Sequence, residues 1–463
     1  MDDTLATQDA TALAGAIARK EVSSRELLEL YLDRIDRLNP AINAVVTLDA
    51  DRARAAAGVA DDLTAKGQSV GPLHGLPVTI KDAIEVEGVR STGGAVELRD
   101  HVPTADAPAV AQLKAAGAVV FGKTNVPRWS GDLQTYNEIF GTTNNPWDAT
   151  RVPGGSSGGP AAAVASGLSS FELGTDIGGS VRIPSHCCGV FGHKPSFGVV
   201  PQRGYLDHVG GGTTDADINV FGPIARSAAD LDLLMSVLAS PEPERSVAWR
   251  VDLPAPRHRD VASYRVGLWF EEPPCAIDRD QLAVLRRAAD ALASAGAKVE
   301  EAHPPVDFNE QHGLFIQMIT PAISVSMPDD VGDALSGSHL QWLRADAHRA
   351  QLRATWAEWF ETYDALLCPV MPVPAIPHQQ DGDMFSRTID INGETTSYVN
   401  LIRWTGLIGV LGLPSAVPPI GRTTAGLPVG VQVVTPYLRD RDAIALAGHL
   451  AELAGGYDVP PGF

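Results

Sequence analysis

Residues 151–184 read RVPGGSSGGPAAAVASGLSSFELGTDIGGSVRIP, and of the thirty residues up to Ser180 eight are Gly and six are Ser. A packed core is not built from that composition. Gly accepts positive φ and lets backbone N–H groups come close to a ligand, so two Gly-Gly-Ser turns this near each other read as a site made of backbone and hydroxyls. Between the turns lie an Ala-rich helical piece and a short strand-like run at 171–173, which a flexible Gly/Ser linker would lack.

GGSSGG at 154–159 and GTDIGGSVRIP at 174–184 resemble the signature of the amidase signature family of serine hydrolases. The resemblance implies a catalytic Ser, a second Ser in a cis peptide and a Lys. It places the nucleophile on Ser180 and the bridging Ser on Ser156, 24 residues earlier (180 − 156). The Lys falls on Lys81 in GLPVTIKD, 75 residues before Ser156 (156 − 81). The implied fold is α/β, a single-domain α/β/α sandwich around a large mixed β-sheet spanning residues 1–463, with N-terminal helices over about 8–66 packed on the core. No cofactor and no metal are implied.

Residues 155–159 also satisfy G-x-S-x-G, the nucleophile elbow of α/β-hydrolases, with Ser157 as nucleophile. That elbow needs a hydrophobic strand before it, and residues 146–153 are polar and bounded by prolines, so the elbow reading fails. Ser157 is left a supporting role. Pro160 departs from the family's usual residue, but proline is tolerated in the first turn of a helix.

Outward from the signature, the chain alternates helix and strand. Ser23 to Glu26 form a capping box, after which Leu27, Leu28, Tyr31, Ile35 and Leu38 share one helical face until Asn39-Pro40 ends the helix. A second helical pattern covers about 51–66. The apolar run 78–80 reads as a buried strand that delivers Lys81. With seven lysines among 36 basic residues, a Lys directly after such a strand is unlike surface decoration; the alternative is a Lys salt-bridged to Asp82.

A helix at 107–116 and a strand at 118–121 continue a βαβ rhythm. The irregular, aromatic stretch from Arg128 holds Trp129, Tyr136, Phe140 and Trp147. By the resemblance it lines the acyl pocket, with Ser130 contacting substrate. Strands at 267–270, 298–300 and 365–370 and helices at 278–295 and around Trp356, Trp359 and Tyr363 complete the alternation. His193 stands where the family usually has Leu.

The formal charge of −20 argues against nucleic acid and anionic membranes as partners, which both require a basic surface. No apolar run reaches the roughly 20 residues of a bilayer span, and MDDTLATQDA has no secretory pattern, so a cytoplasmic enzyme is expected. Four cysteines are too few and too scattered for a disulfide framework, and adjacent Cys187 and Cys188 read as buried packing residues. Partners are then a small-molecule amide and water, and a homodimer is left open.

A serine hydroxyl is a poor nucleophile without a base. In the implied mechanism a neutral Lys81 draws a proton from Ser156, which draws one from Ser180, and Ser180 forms the acyl-enzyme. The oxyanion then rests on the N–H groups of Ile177, Gly178, Gly179 and Ser180, while Asp176 and Arg182 hold the turn. Trp129, Ser130 and Tyr136 on one side and residues 311–319 with Trp404 on the other are the candidate substrate lining, whose apolar bias favours an aryl or alkyl amide. Two further readings stand beside this amidase or carbamate hydrolase. One is the amidase subunit of a tRNA-dependent amidotransferase, and the other a catalytically inactive binding scaffold.

Overall fold

A large mixed sheet runs through the computed structural model, whose described residues are 3–273 and 275–463. In spatial order its strands are Lys298–Glu301, Arg265–Leu268, Ala365–Pro369, Pro428–Val434, Ser415–Val417, Phe191–Lys194, Val220–Ala225 and Glu172–Asp176. Pro419–Arg422 pairs with Pro428–Val434 off this path. The first three strands run parallel and the remaining pairings are antiparallel. Parallel strands need a crossover, and the helix Arg279–Ser294, capped by Asp278, supplies it between Arg265–Leu268 and Lys298–Glu301. Pro428–Val434 is buried at every residue, as a strand covered on both faces must be, which explains its largely apolar sequence.

A smaller sheet orders Val45–Leu48, Val119–Thr124 and Pro77–Lys81. Its last two strands are parallel and joined through the helix Pro108–Ala115, the βαβ unit expected, although the strand runs on to Thr124 rather than ending at 121. Side chains tie it to the large sheet. Thr79 N–H donates to Ser169 Oγ at 3.0 Å, Ser170 Oγ donates to Pro77 O at 2.7 Å, and Thr79 Oγ1 donates to Glu172 Oε1 at 2.5 Å. Lys81 is thereby laid beside Glu172–Asp176, the strand that enters the second signature motif.

The helix Ser24–Ile42 begins at the expected capping box, with Ser23 and Glu26 each bonded to the other's backbone. It does not end at Asn39-Pro40. Pro40 lies inside the last turn, and the chain leaves the helix at Asn43 (φ +53) instead. Asn39 Oδ1 accepts from the N–H groups of Ala44 and Val45 at 2.8 and 2.9 Å, so the turn after the proline is satisfied by a side chain. The second helix spans Ala50–Ala65. Arg34 Nε and Nη2 donate to Gly167 O and Ser166 O, both at 2.9 Å, fastening the first of these helices to the end of the Ala-rich helix Gly158–Ala165.

Three helices, Phe308–Ser324, Asp329–Ser336 and His339–Trp359, form the segment before the strand Ala365–Pro369. Trp356 and Trp359 are on the last of them, but Tyr363 lies in the turn beyond, its ring stacked on Trp359 at 4.4 Å between centroids. The expected strand at 171–173 starts at Glu172 and extends to Asp176. Cys187 and Cys188 are free, buried packing residues.

Candidate active site

Lys81 ends its strand with its amine fully buried among hydroxyls. Nζ lies 2.7 Å from Ser156 Oγ, 2.8 Å from Thr175 Oγ1 and 3.1 Å from Ser157 Oγ. Asp82, the neighbour that a salt bridge would have used, points elsewhere. Its Oδ2 accepts from Thr92 N–H at 3.0 Å and from Thr92 Oγ1 at 2.5 Å. Burial pushes the Lys81 amine well below the ordinary lysine range, and the fields of Asp176 and Glu172 offset only part of that. Burial likewise raises the Glu172 carboxyl to about 8, against the pull of the Thr79 hydroxyl.

Ser156 follows Gly155 through a cis peptide bond. Gly155 is required for close approach, since a Cβ there would stand 2.5 Å from Asp132 O and Leu133 C. Ser157 N–H donates to Ser180 O at 3.1 Å, which fixes the second signature turn against the first. Ser180 is 6 % exposed, Ser156 1 % and Lys81 0 %, so Ser180 is the most accessible of the three.

The turn at Ser180 is organised by a buried ion pair. Arg182 Nη2 and Nε reach Asp176 Oδ1 and Oδ2 at 2.8 and 2.9 Å, and Arg182 Nη1 donates to Gln432 Oε1 at 2.7 Å and Thr405 O at 2.9 Å. Burial works to raise the Asp176 carboxyl, but Arg182, Lys194 and the Val181 N–H outweigh it and hold it at about 2. Asp176 Oδ1 also accepts Gly179 N–H at 2.8 Å, and Thr405 Oγ1 donates to Gly178 O at 2.7 Å. The Gly178–Gly179 peptide is thus held at both ends. Gly179 has φ +121, and a Cβ there would meet Thr405 Oγ1 at 2.6 Å. Of the four N–H groups expected around an oxyanion, that of Gly179 is committed to Asp176; among the described residues those of Ile177, Gly178 and Ser180 meet no acceptor.

Phe315 and Ile319 face Gly178, each 3.4 Å from where its Cβ would be. Gln311 does not line the site: its Nε2 donates to Leu407 O at 2.8 Å and its Oε1 accepts from Trp356 Nε1 at 3.0 Å. Trp404 is fully buried and packs edge-on against Trp269 and Phe308, so it belongs to the core. Tyr136 spends its hydroxyl on Asp132 and Arg387. Ser130 is half-buried, and burial pushes the Tyr205 hydroxyl up to about 12 while the neighbouring hydroxyls of Ser130 and Thr175 draw it back. Thr175 and Thr405 are contacts the sequence reading missed; Thr175 lies inside the quoted motif, and its spacing of one residue before Asp176 was the available signal.

The amidase family profile matches residues 26–327 and 324–443. The chain therefore belongs to the amidase signature family of amide hydrolases. It is 34 % identical over 466 residues to the indoleacetamide hydrolase of Bradyrhizobium diazoefficiens, covering 96 % of this chain and 86 % of that one. It is 31 % identical over 501 residues to a glutamyl-tRNA(Gln) amidotransferase subunit of Heliobacterium modesticaldum, covering 99 % of each. The solved structure of a bacterial aryl acylamidase superposes with a TM-score of 0.85 at 27 % identity, over 98 % of this chain and 99 % of that one. Among the described residues no helix is long and apolar enough to cross a membrane.

Proposed function

We propose that this amidase cleaves a neutral, fairly apolar small amide, an aryl amide or carbamate among them, through an acyl-enzyme on Ser180. The observation that carries the reading is Lys81 seated on Ser156, its amine hydrogen-bonded to the Ser156, Ser157 and Thr175 hydroxyls. A neutral amine has two N–H donors and one lone pair, so it can donate to Ser157 and Thr175 and accept from Ser156. Taking the Ser156 proton lets Ser156 take that of Ser180. The Ser180 oxygen then bonds to the amide carbon, and the carbonyl electrons move onto the oxygen, which the N–H groups of Ile177, Gly178 and Ser180 receive. Each such donor is worth about 3 kcal/mol. Ser156 returns its proton to the leaving amine as the C–N bond breaks. Water, deprotonated along the same route, cleaves the ester. Asp176 and Arg182 keep the turn in this geometry.

The substrate class rests on Phe315 and Ile319 and on relatives named for indoleacetamide and aryl acylamides. A second reading, the amidase subunit of a tRNA-dependent amidotransferase, is favoured by the full-length likeness to the Heliobacterium protein. Against it stands the charge of −20, where tRNA contact calls for a basic surface. A panel of anilides, aliphatic amides, carbamates, glutamine and asparagine separates the two. Higher kcat/KM for anilides is expected, and a preference for glutamine or asparagine overturns the assignment.

A further inference from the structure

Trp129 and Ser130 both adopt the left-handed backbone region, with φ +52 and +54, where a residue with a Cβ is strained. Such a turn persists only where its surroundings over-determine it. Its first half is held by Trp129 N–H on Gly93 O at 2.8 Å and Ser130 N–H on Pro127 O at 2.9 Å. Two residues beyond Ser130, the Asp132 side chain is fixed from far along the chain. Asp132 Oδ1 accepts from Tyr398 OH at 2.7 Å, and Oδ2 accepts from Arg387 Nη1 at 2.6 Å and Tyr136 OH at 3.2 Å.

Arg387 is itself fixed. Its Nη2 donates to Tyr136 OH at 2.7 Å and Gly382 O at 3.1 Å, and the guanidinium stands 5.5 Å from the Tyr398 ring centroid and 5.9 Å from that of Tyr136. The Arg387 and Asp132 side chains are 5 % and 11 % exposed, so their charges are mutually dependent. Behind this pair the Asp132 carbonyl closes on Gly155, the residue before Ser156. In front lies a cavity of about 430 Å³ bordered by Val96, Pro127, Tyr136, Met384 and Arg387. The proton route through Lys81 uses none of these groups.

We infer that Arg387 is a positioning residue for acyl selectivity: acting through Asp132, it locks the Trp129–Ser130 turn and so decides which acyl groups the site accepts. The inference rests on the reading of Ser130 as substrate wall in an acyl-enzyme mechanism on Ser180. A rigid, pre-set wall lowers KM for the acyl group that fits it, while bond cleavage at Ser180 is governed elsewhere.

Full-length Arg387→Met, Arg387→Lys and Tyr398→Phe test this with acetanilide and an arylacetyl anilide, alongside labelling of Ser180 by a small fluorophosphonate. In Arg387→Met the arylacetyl-to-acetyl ratio of kcat/KM is expected to fall about tenfold, through KM. Arg387→Lys recovers part of the ratio, and Tyr398→Phe, which keeps the ion pair, shifts it in the same direction by less. An unchanged ratio in Arg387→Met and Tyr398→Phe with Ser180 still labelled overturns the positioning role and leaves the hydrolase reading intact. Should Arg387→Met not fold, an unchanged ratio in Tyr398→Phe overturns it alone. Wild-type protein that never labels at Ser180 overturns the reading beneath it.

Discussion

Lys81 Nζ stands 2.7 Å from Ser156 Oγ in a setting where burial drives the amine well below its ordinary range. In the proposed mechanism Lys81 is the base, and amide and ester substrates use such a base differently. An amide expels an amine that must be protonated as the bond breaks, whereas an activated ester expels a leaving group needing little help.

Lys81→Ala is therefore expected to lose amide turnover far more than turnover of a matched ester, about 100-fold more if general acid catalysis is what is removed. The sign of the pH dependence follows from the direction of the shift. Wild-type kcat/KM falls on acidification as the buried amine takes up a proton, and the variant lacks that limb. Steady-state kinetics on an amide and ester pair across pH check both; equal losses with the acid limb retained would make Lys81 merely structural.

Thr175 Oγ1 accepts a hydrogen bond from Lys81 Nζ at 2.8 Å, which in the proposed mechanism leaves the amine's lone pair to face Ser156. Thr175→Val keeps the shape and removes that acceptor. A fall in kcat of about tenfold with KM little changed is expected, equivalent to ~1.4 kcal/mol of transition-state stabilisation. Equal kcat in both proteins would show that the amine is aligned without it.

Glu172 offers a stability test. Its carboxyl titrates near 8 in the folded protein because it is buried, against about 4.3 in an unfolded chain. Between those values the folded state holds a proton that the unfolded state has lost, so stability falls as pH rises through the window and the full cost is present above about 8. Glu172→Gln can still accept from Thr79 and has no charge to bury. Urea unfolding should find it level with wild type near pH 4 and more stable by at least about 1 kcal/mol at pH 8. A constant difference across pH would mean that Glu172 titrates normally.

The parts that could be read in the sequence are those whose chemistry is contiguous. Lys81, Ser156 and Ser180 each sit in a short run of motif residues, and the strand before Lys81 shows itself by a run, 78–80, that reads as buried. Helix starts were readable because a capping box is local, as at Ser23. The stop at Pro40 was misread because the bonds that carry the chain past it come from the Asn39 side chain, which propensity does not register. Trp404 and Gln311 were misplaced because an apolar or amide residue on a helix gives no sign of whether it faces a pocket or another helix. Arg182 on Thr405, 223 residues apart, and Arg387 on Asp132, 255 apart, are pairings made by the fold alone.

The most direct test of the account is where the acyl group goes. Rapid quenching of the enzyme with a slowly deacylating aryl ester, followed by peptide mass spectrometry, should find the adduct on the peptide containing Ser180 and at the Ser180 side chain. Ser180→Ala, with a native circular dichroism spectrum, should form none. An adduct on Ser156 or Ser157, or one at wild-type level in Ser180→Ala, would contradict the assignment of Ser180 as nucleophile and of Lys81 and Ser156 as its proton route.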